Sequence, residues 1–169
     1  MRSWSPTRAA GLAGVALLLL LAAAESSNSQ HTTPFDRLAG QWSGRGTIEL
    51  ANGTHEAIKC RATYDVLEQQ KNLQLNIRCA SESYSFDLRA SAVYSAGTVT
   101  GSWTESTRNA AGTISGKASA ERFQVNAKSP SFSANLTVTT HGDHQSVVIQ
   151  PEEPPTSVKR VALTLKRDS

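Results

Sequence analysis

From Phe35 to Lys166 apolar and polar residues alternate with period two, and no window carries the i, i+3, i+4 spacing of a long amphipathic helix. A chain written this way forms strands, so the fold class is all-β. The pairing of the strands is legible too, because residues facing each other across an antiparallel turn have position numbers that add to a constant. With the constant 139, Val66 faces Leu73, Tyr64 faces Leu75, Ala62 faces Ile77 and Cys60 faces Cys79. Every pair is apolar on both sides, while Arg61, Thr63, Asp65, Gln74, Asn76 and Arg78 fall on the opposite face. A slip by one residue would exchange the two faces.

The same test extends along the chain. Tyr84, Phe86, Leu88, Ala90, Ala92 and Tyr94 share a face, and a turn over Ser95 to Thr98 sets Tyr94 against Val99, Ala92 against Gly101 and Ala90 against Trp103. A longer turn is expected to set Trp103 against Ile114 and Gly101 against Gly116. Further strands run through Phe123 to Ala127 and Phe132 to Val138; the His141-Gly142-Asp143-His144 turn then sets Val138 against Val147 and Leu136 against Ile149. Val161, Leu163 and Leu165 form the last strand. About ten short strands joined by short turns predict a single antiparallel up-and-down barrel, with a two-sheet β-sandwich as the alternative. Closure removes both edges of a meander this long, which favours the barrel.

Residues 1–24 read as a secretory signal: Arg2 and Arg8 precede an apolar run from Ala9 to Leu21, and Ala22-Ala23-Ala24 forms a small-residue cleavage site. The run is short for a membrane span, so no membrane span is expected. Residues 25–34 read as a flexible leader and 35–169 as the barrel domain. Removing Arg2 and Arg8 leaves 15 basic side chains against 14 acidic ones, so the sequence pI of about 9.1 overstates the mature charge. No run of Lys and Arg remains to neutralise a row of phosphates, and a nucleic-acid partner is not expected. The expected location is the periplasm or the secreted fraction. Asn52-Gly53-Thr54 and Asn135-Leu136-Thr137 match the N-glycosylation pattern, which has a use only in a eukaryotic secretory route.

Two Cys in an exported chain usually pair, and the register independently opposes Cys60 and Cys79. A disulfide is expected, against the alternative of two buried thiols; closing that loop contributes about 3 kcal/mol in the chain-entropy model. A four-residue loop over Glu68 to Lys71 makes the pair a non-hydrogen-bonded one.

Chemistry-bearing clusters are sparse. His141 and His144 flank Gly142-Asp143, but the spacing lacks a third strong ligand and turn chemistry explains Gly and Asp, so no metal is expected. No G-x-S-x-G elbow occurs, both Cys are committed, and Glu49, Asp65, Asp87 and Glu105 fall mostly on or near polar faces. No catalytic residue is identified, and the expectation is a protein that is not an enzyme.

Gly40-Gln-Trp42-Ser-Gly44-Arg-Gly46 reads G-x-W-x-G-x-G at the first strand. It resembles the calycin superfamily of lipocalins, fatty-acid-binding proteins, avidins and bacterial protease inhibitors, and is most similar to the nitrobindin branch. The resemblance implies that Trp42 plugs the closed end of the barrel and that Arg167 covers it. The nitrobindin branch has ten-stranded barrels that bind haem through a His on the last strand. Leu165-Lys166-Arg167 matches the ending of that branch, but Arg160 stands at the ungapped position of the His, so no haem or other cofactor is expected. Read without the resemblance, Gly44 and Gly46 remove side chains where the strand bends or another chain approaches.

Two functional readings follow. The inward face combines rings, among them Tyr84, Phe86, Trp103 and Phe123, with small residues such as Ala90, Ala92, Gly101 and Gly116. Small side chains either leave a cavity for a small apolar ligand or let strands close around the rings. The alternative is an envelope protein-interaction module, or a protease-inhibitor-like barrel, acting through residues 25–34 or the extended Pro151 to Thr156 segment.

Overall fold

The computed structural model describes residues 33–67, 71–152 and 157–169. The signal segment 1–24 lies outside the described residues, as does most of 25–34. Ten strands follow in chain order: β1 (Gly40–Leu50), β2 (His55–Leu67), β3 (Asn72–Ala80), β4 (Ser85–Ser95), β5 (Thr98–Glu105), β6 (Ala110–Ala118), β7 (Arg122–Ser129), β8 (Phe132–His141), β9 (His144–Pro151) and β10 (Val158–Arg167). Each pairs antiparallel with its neighbours, and β1 also pairs with β10, so the sheet closes into an up-and-down barrel. The sandwich alternative is thereby excluded.

The constant 139 holds from Lys59 opposite Ala80 to Leu67 opposite Asn72. The β4–β5 and β8–β9 registers also match the sequence reading. One register differs. Trp103 faces Gly112 and Gly101 faces Ile114, two residues from the expected pairing. The cause is a tighter turn than the sequence suggested, held by Glu105. Its carboxylate accepts hydrogen bonds from the backbone N–H of Thr107 and Arg108 at 3.0 and 2.9 Å, and Asn109 takes the left-handed conformation at φ 50° that reverses the chain. A shift of two preserves every residue's face, so the inward set is unchanged.

Glycines on the inward face of β1, β5 and β6 allow the sheet to coil tightly. A Cβ on Gly44 would lie 2.0 Å from the Thr164 carbonyl oxygen, and one on Gly101 2.1 Å from that of Ser91. The bare backbone at these positions admits the neighbouring strand. Cys60 and Cys79 form a disulfide between β2 and β3, with Cα atoms 4.1 Å apart. Among the described residues no helix is long and apolar enough to cross a membrane.

Candidate functional site

The two ends of the barrel differ. One is closed by a single-turn 3-10 helix, Pro34–Arg37, that precedes β1. Thr33 caps it, with its hydroxyl accepting from Phe35 N–H, and the Asp36 carboxylate returns a bond to Thr33 N–H at 2.9 Å. Thr33 and Pro34, assigned to the leader by sequence, are therefore buried parts of the domain. Phe35 inserts into the barrel, stacks on Phe123 at 5.9 Å and meets the edge of Tyr94 at 6.1 Å. Trp42 is 1% exposed and donates Nε1–H to the Leu38 carbonyl at 2.7 Å. Arg167, its partner on β10, lays its guanidinium 4.3 Å over the indole and donates to the carbonyls of Ala39 and Arg37. One cation thus ties the last strand to the residues that enter the first. Below this lid Tyr64 O–H donates to Gln145, and Gln145 to Thr140, so the buried polar groups are paired; burial raises the tyrosine pKa.

Toward the other end the packing changes. On β3 Leu73 is buried, but Leu75 and Ile77 are part-exposed although they face inward; on β7 Phe123 is buried and Val125 is part-exposed. The same step separates Val147 from Ile149 on β9. Val125, Leu136 and Ile149 stand side by side across β7, β8 and β9, all apolar, inward and part-exposed. The step is not uniform: near the plug Val66, Tyr94 and Val138 are also part-exposed, and on β8 Ala134, on the open-end side of Leu136, is fully buried. Across the barrel Ile48, Ile58 and Val161 stay buried on β1, β2 and β10, so the part-exposed lining toward the open end belongs mainly to β3, β4, β6, β7 and β9, with Leu136 the one such apolar position in the middle of β8.

The rim of the open end carries most of the aromatic residues singled out from sequence. Tyr84 and Phe86 stack at 6.3 Å, and Tyr84 O–H donates to Ser157 Oγ at 2.9 Å, linking the entry to β4 with the entry to β10. Arg108 lays its guanidinium 4.7 Å over Phe86 and donates to the Ser85 carbonyl at 3.0 Å. Trp103, 6% exposed, meets the edge of Phe132 at 6.3 Å; its Nε1–H is buried and has no hydrogen-bond partner among the described residues. Phe123 is apart from these three, in the plug at the opposite end. Two readings of the small and acidic residues need correction. At Gly101 and Gly116 the adjacent strand's backbone occupies the space a side chain would take, so those glycines contribute no room for a guest. Glu105 is not on a solvated face: it is 6% exposed, and its Oε1 also accepts Asp87 N–H at 3.0 Å. Burial pushes this carboxyl up, but the bonds from Thr107, Asp87 and Arg108 outweigh it and hold the pKa below the usual range.

Metal and haem fit poorly. His141 and His144 are exposed in the β8–β9 turn, Nδ1 of His141 lying 3.3 Å from Glu121 and Nδ1 of His144 2.7 Å from Asp143; no cluster of three metal-ligating side chains occurs among the described residues. His55, His141 and His144 are all exposed, and Arg160 is exposed opposite Glu49, so none of these presents an imidazole to the barrel interior. Of the segments named for a protein partner, 25–32 and 153–156 lie outside the described residues. Glu152 folds back onto Ser133 and Asn135 of β8.

The plug helix carries a signal the sequence reading missed. Thr33-Pro-Phe-Asp36 is a capping pattern with Pro at the first helical position.

No protein-family model matches the chain, and no curated protein matches it. Solved structures do. The Rv2717c protein of M. tuberculosis superposes with a TM-score of 0.64 at 12% identity, over 82% of this chain and 99% of that one. The S-type phycobiliprotein lyase CPES of Guillardia theta superposes with a TM-score of 0.54 at 14% identity, over 80% and 90%. At these identities the likeness concerns fold alone, that of a closed ten-stranded antiparallel up-and-down barrel.

Proposed function

We propose that the chain is an exported, non-enzymatic carrier that holds a small apolar molecule in the open half of its barrel. The observation that carries this reading is the row of inward, part-exposed apolar side chains Val125, Leu136 and Ile149, with Leu75 and Ile77 across from it. Apolar surface left in contact with water forgoes about 25 cal/mol per Å², which an apolar guest recovers. In this reading Tyr84 and Phe86 form the entrance, and Arg108 rests on the Phe86 ring at its edge. The indole N–H of Trp103 is buried beside Gly112 without a partner, and a guest whose acceptor reaches it gains one directional contact, which favours a molecule with a single acceptor on an apolar body. Phe123 serves the plug in this account. Export rests on the sequence of residues 1–24 and agrees with the disulfide.

The test is mass spectrometry under native conditions on protein purified from its own host. One retained apolar molecule per chain supports the carrier. A co-purifying protein on an otherwise empty barrel, together with no uptake of lipophilic probes, overturns it in favour of an interaction module.

A further inference from the structure

The outer surface of the barrel is chemically divided. On β5 through β8 it is mostly Ser, Thr, Asn and Gln, whereas on β1 to β3 the register gathers Arg45, Lys59, Arg61 and Arg78. Arg45 stands directly opposite Lys59, and Arg61 directly opposite Arg78. Like charges placed this way destabilise their own sheet, so fold stability does not account for them. Arg45, Lys59 and Arg61 form no ion pair among the described residues. Two carboxylates reach this surface: Asp87 accepts from Arg78 Nε at 3.0 Å, and Asp168 accepts from the Ser43 hydroxyl at 2.6 Å.

The four cations line an open depression of about 750 Å³, together with the shorter residues Ser43, Gly44, Thr63, Asn76 and Ala80. Beneath it the disulfide draws the two strands together. We infer that this depression on the outer face of β1, β2 and β3 binds a doubly charged phosphate group, through Arg45, Lys59 and Arg61 with Arg78 at the edge. The cations outnumber the two carboxylates, and Lys166 opposite Ser43 and Arg89 opposite Asn76 stand next to the depression, so its field is positive and favours a phosphate monoester dianion. Guanidinium groups from different strands match its tetrahedral oxygens, and the short side chains between them leave the depression open to solvent. The patch is compact, so it suits one such group rather than the evenly spaced phosphates of a polymer. The group can come from a soluble phosphorylated molecule or from the headgroup of a lipid such as phosphatidic acid, and the experiment separates the two.

Inorganic phosphate binding is measured by calorimetry on the oxidised protein at low ionic strength, beside sedimentation with vesicles of phosphatidylcholine alone or containing phosphatidic acid. Arg61→Gln and Lys59→Gln are each expected to weaken binding at least tenfold without lowering the melting temperature, because each relieves a like-charge pair. Arg89→Gln, on β4 outside the depression, is expected to bind nearly as wild type. Binding of phosphate in solution assigns a soluble ligand; binding only to phosphatidic acid vesicles assigns a headgroup. Failure to bind either probe overturns the inference. So does equal weakening by Arg61→Gln and Arg89→Gln, since that reports a diffuse field and no site. None of these outcomes depends on the barrel interior.

Discussion

Two substitutions on inward-facing residues distinguish a hollow barrel from a filled one. Ala92 is 7% exposed, lies between Leu73 and Gly101, and has its Cα 2.8 Å from where a Gly101 Cβ would sit. Ala92→Leu has nowhere to place its added carbons, and overpacking of this kind costs about 1 to 3 kcal/mol. Leu136 lies between Val125 and Ile149, both part-exposed like itself. Leu136→Phe adds volume where solvent now reaches, so its stability is expected within about 1 kcal/mol of wild type. Equilibrium urea unfolding gives both values from the shift in midpoint at constant slope. Titration with N-phenyl-1-naphthylamine gives the second readout: Leu136→Phe is expected to weaken binding at least tenfold, Ala92→Leu much less. If Leu136→Phe loses as much stability as Ala92→Leu, and the wild type takes up no probe, the open half is packed and the reasoning fails.

Other expectations follow from single contacts. Replacing Cys60 and Cys79 together by Ala removes a cross-link spanning 19 positions, and urea unfolding is expected to register a loss of about 3 kcal/mol. Gly44→Ala drives a methyl into the Thr164 carbonyl, and a loss of at least about 3 kcal/mol, or failure to fold, is expected in thermal denaturation. Glu105 has its folded pKa below the ordinary 4.5, so its contribution is present above pH 4.5 and disappears as pH falls through the depressed folded value. Glu56 and Glu152 are lowered too, by hydroxyl donors Ser81 and Ser133, so the diagnostic quantity is the difference from Glu105→Gln. That variant is expected to be less stable than wild type at pH 7 and to converge with it in acid.

The strands and most registers were legible because one physical rule governs them: a face must be apolar on both partners at once. That rule found Cys60 opposite Cys79 and Tyr94 opposite Val99 without any other information. It is insensitive to a slip of two, which is why β5 and β6 were misaligned; only the bonds accepted by Glu105 decide how tight that turn is. The helical turn Pro34–Arg37 that completes the plug is not legible by periodicity, because a single turn has none. The cationic depression was latent for a different reason. Its residues are scattered over three strands and meet only after pairing, although the constant that aligned the cysteines also sets Arg61 against Arg78. The division between sealed and part-exposed inward residues has no counterpart in sequence, since Leu73 and Leu75 are the same residue type two positions apart.

If the open half of the barrel holds space bounded by apolar side chains, xenon under pressure reports that space directly. Crystals of the oxidised protein, diffracted after xenon pressurisation, are expected to show a xenon peak within contact of Leu136 and Ile149, and none beside Phe35 and Phe123. A barrel that takes up no xenon near Leu136, or takes it up only beneath the plug, contradicts the account.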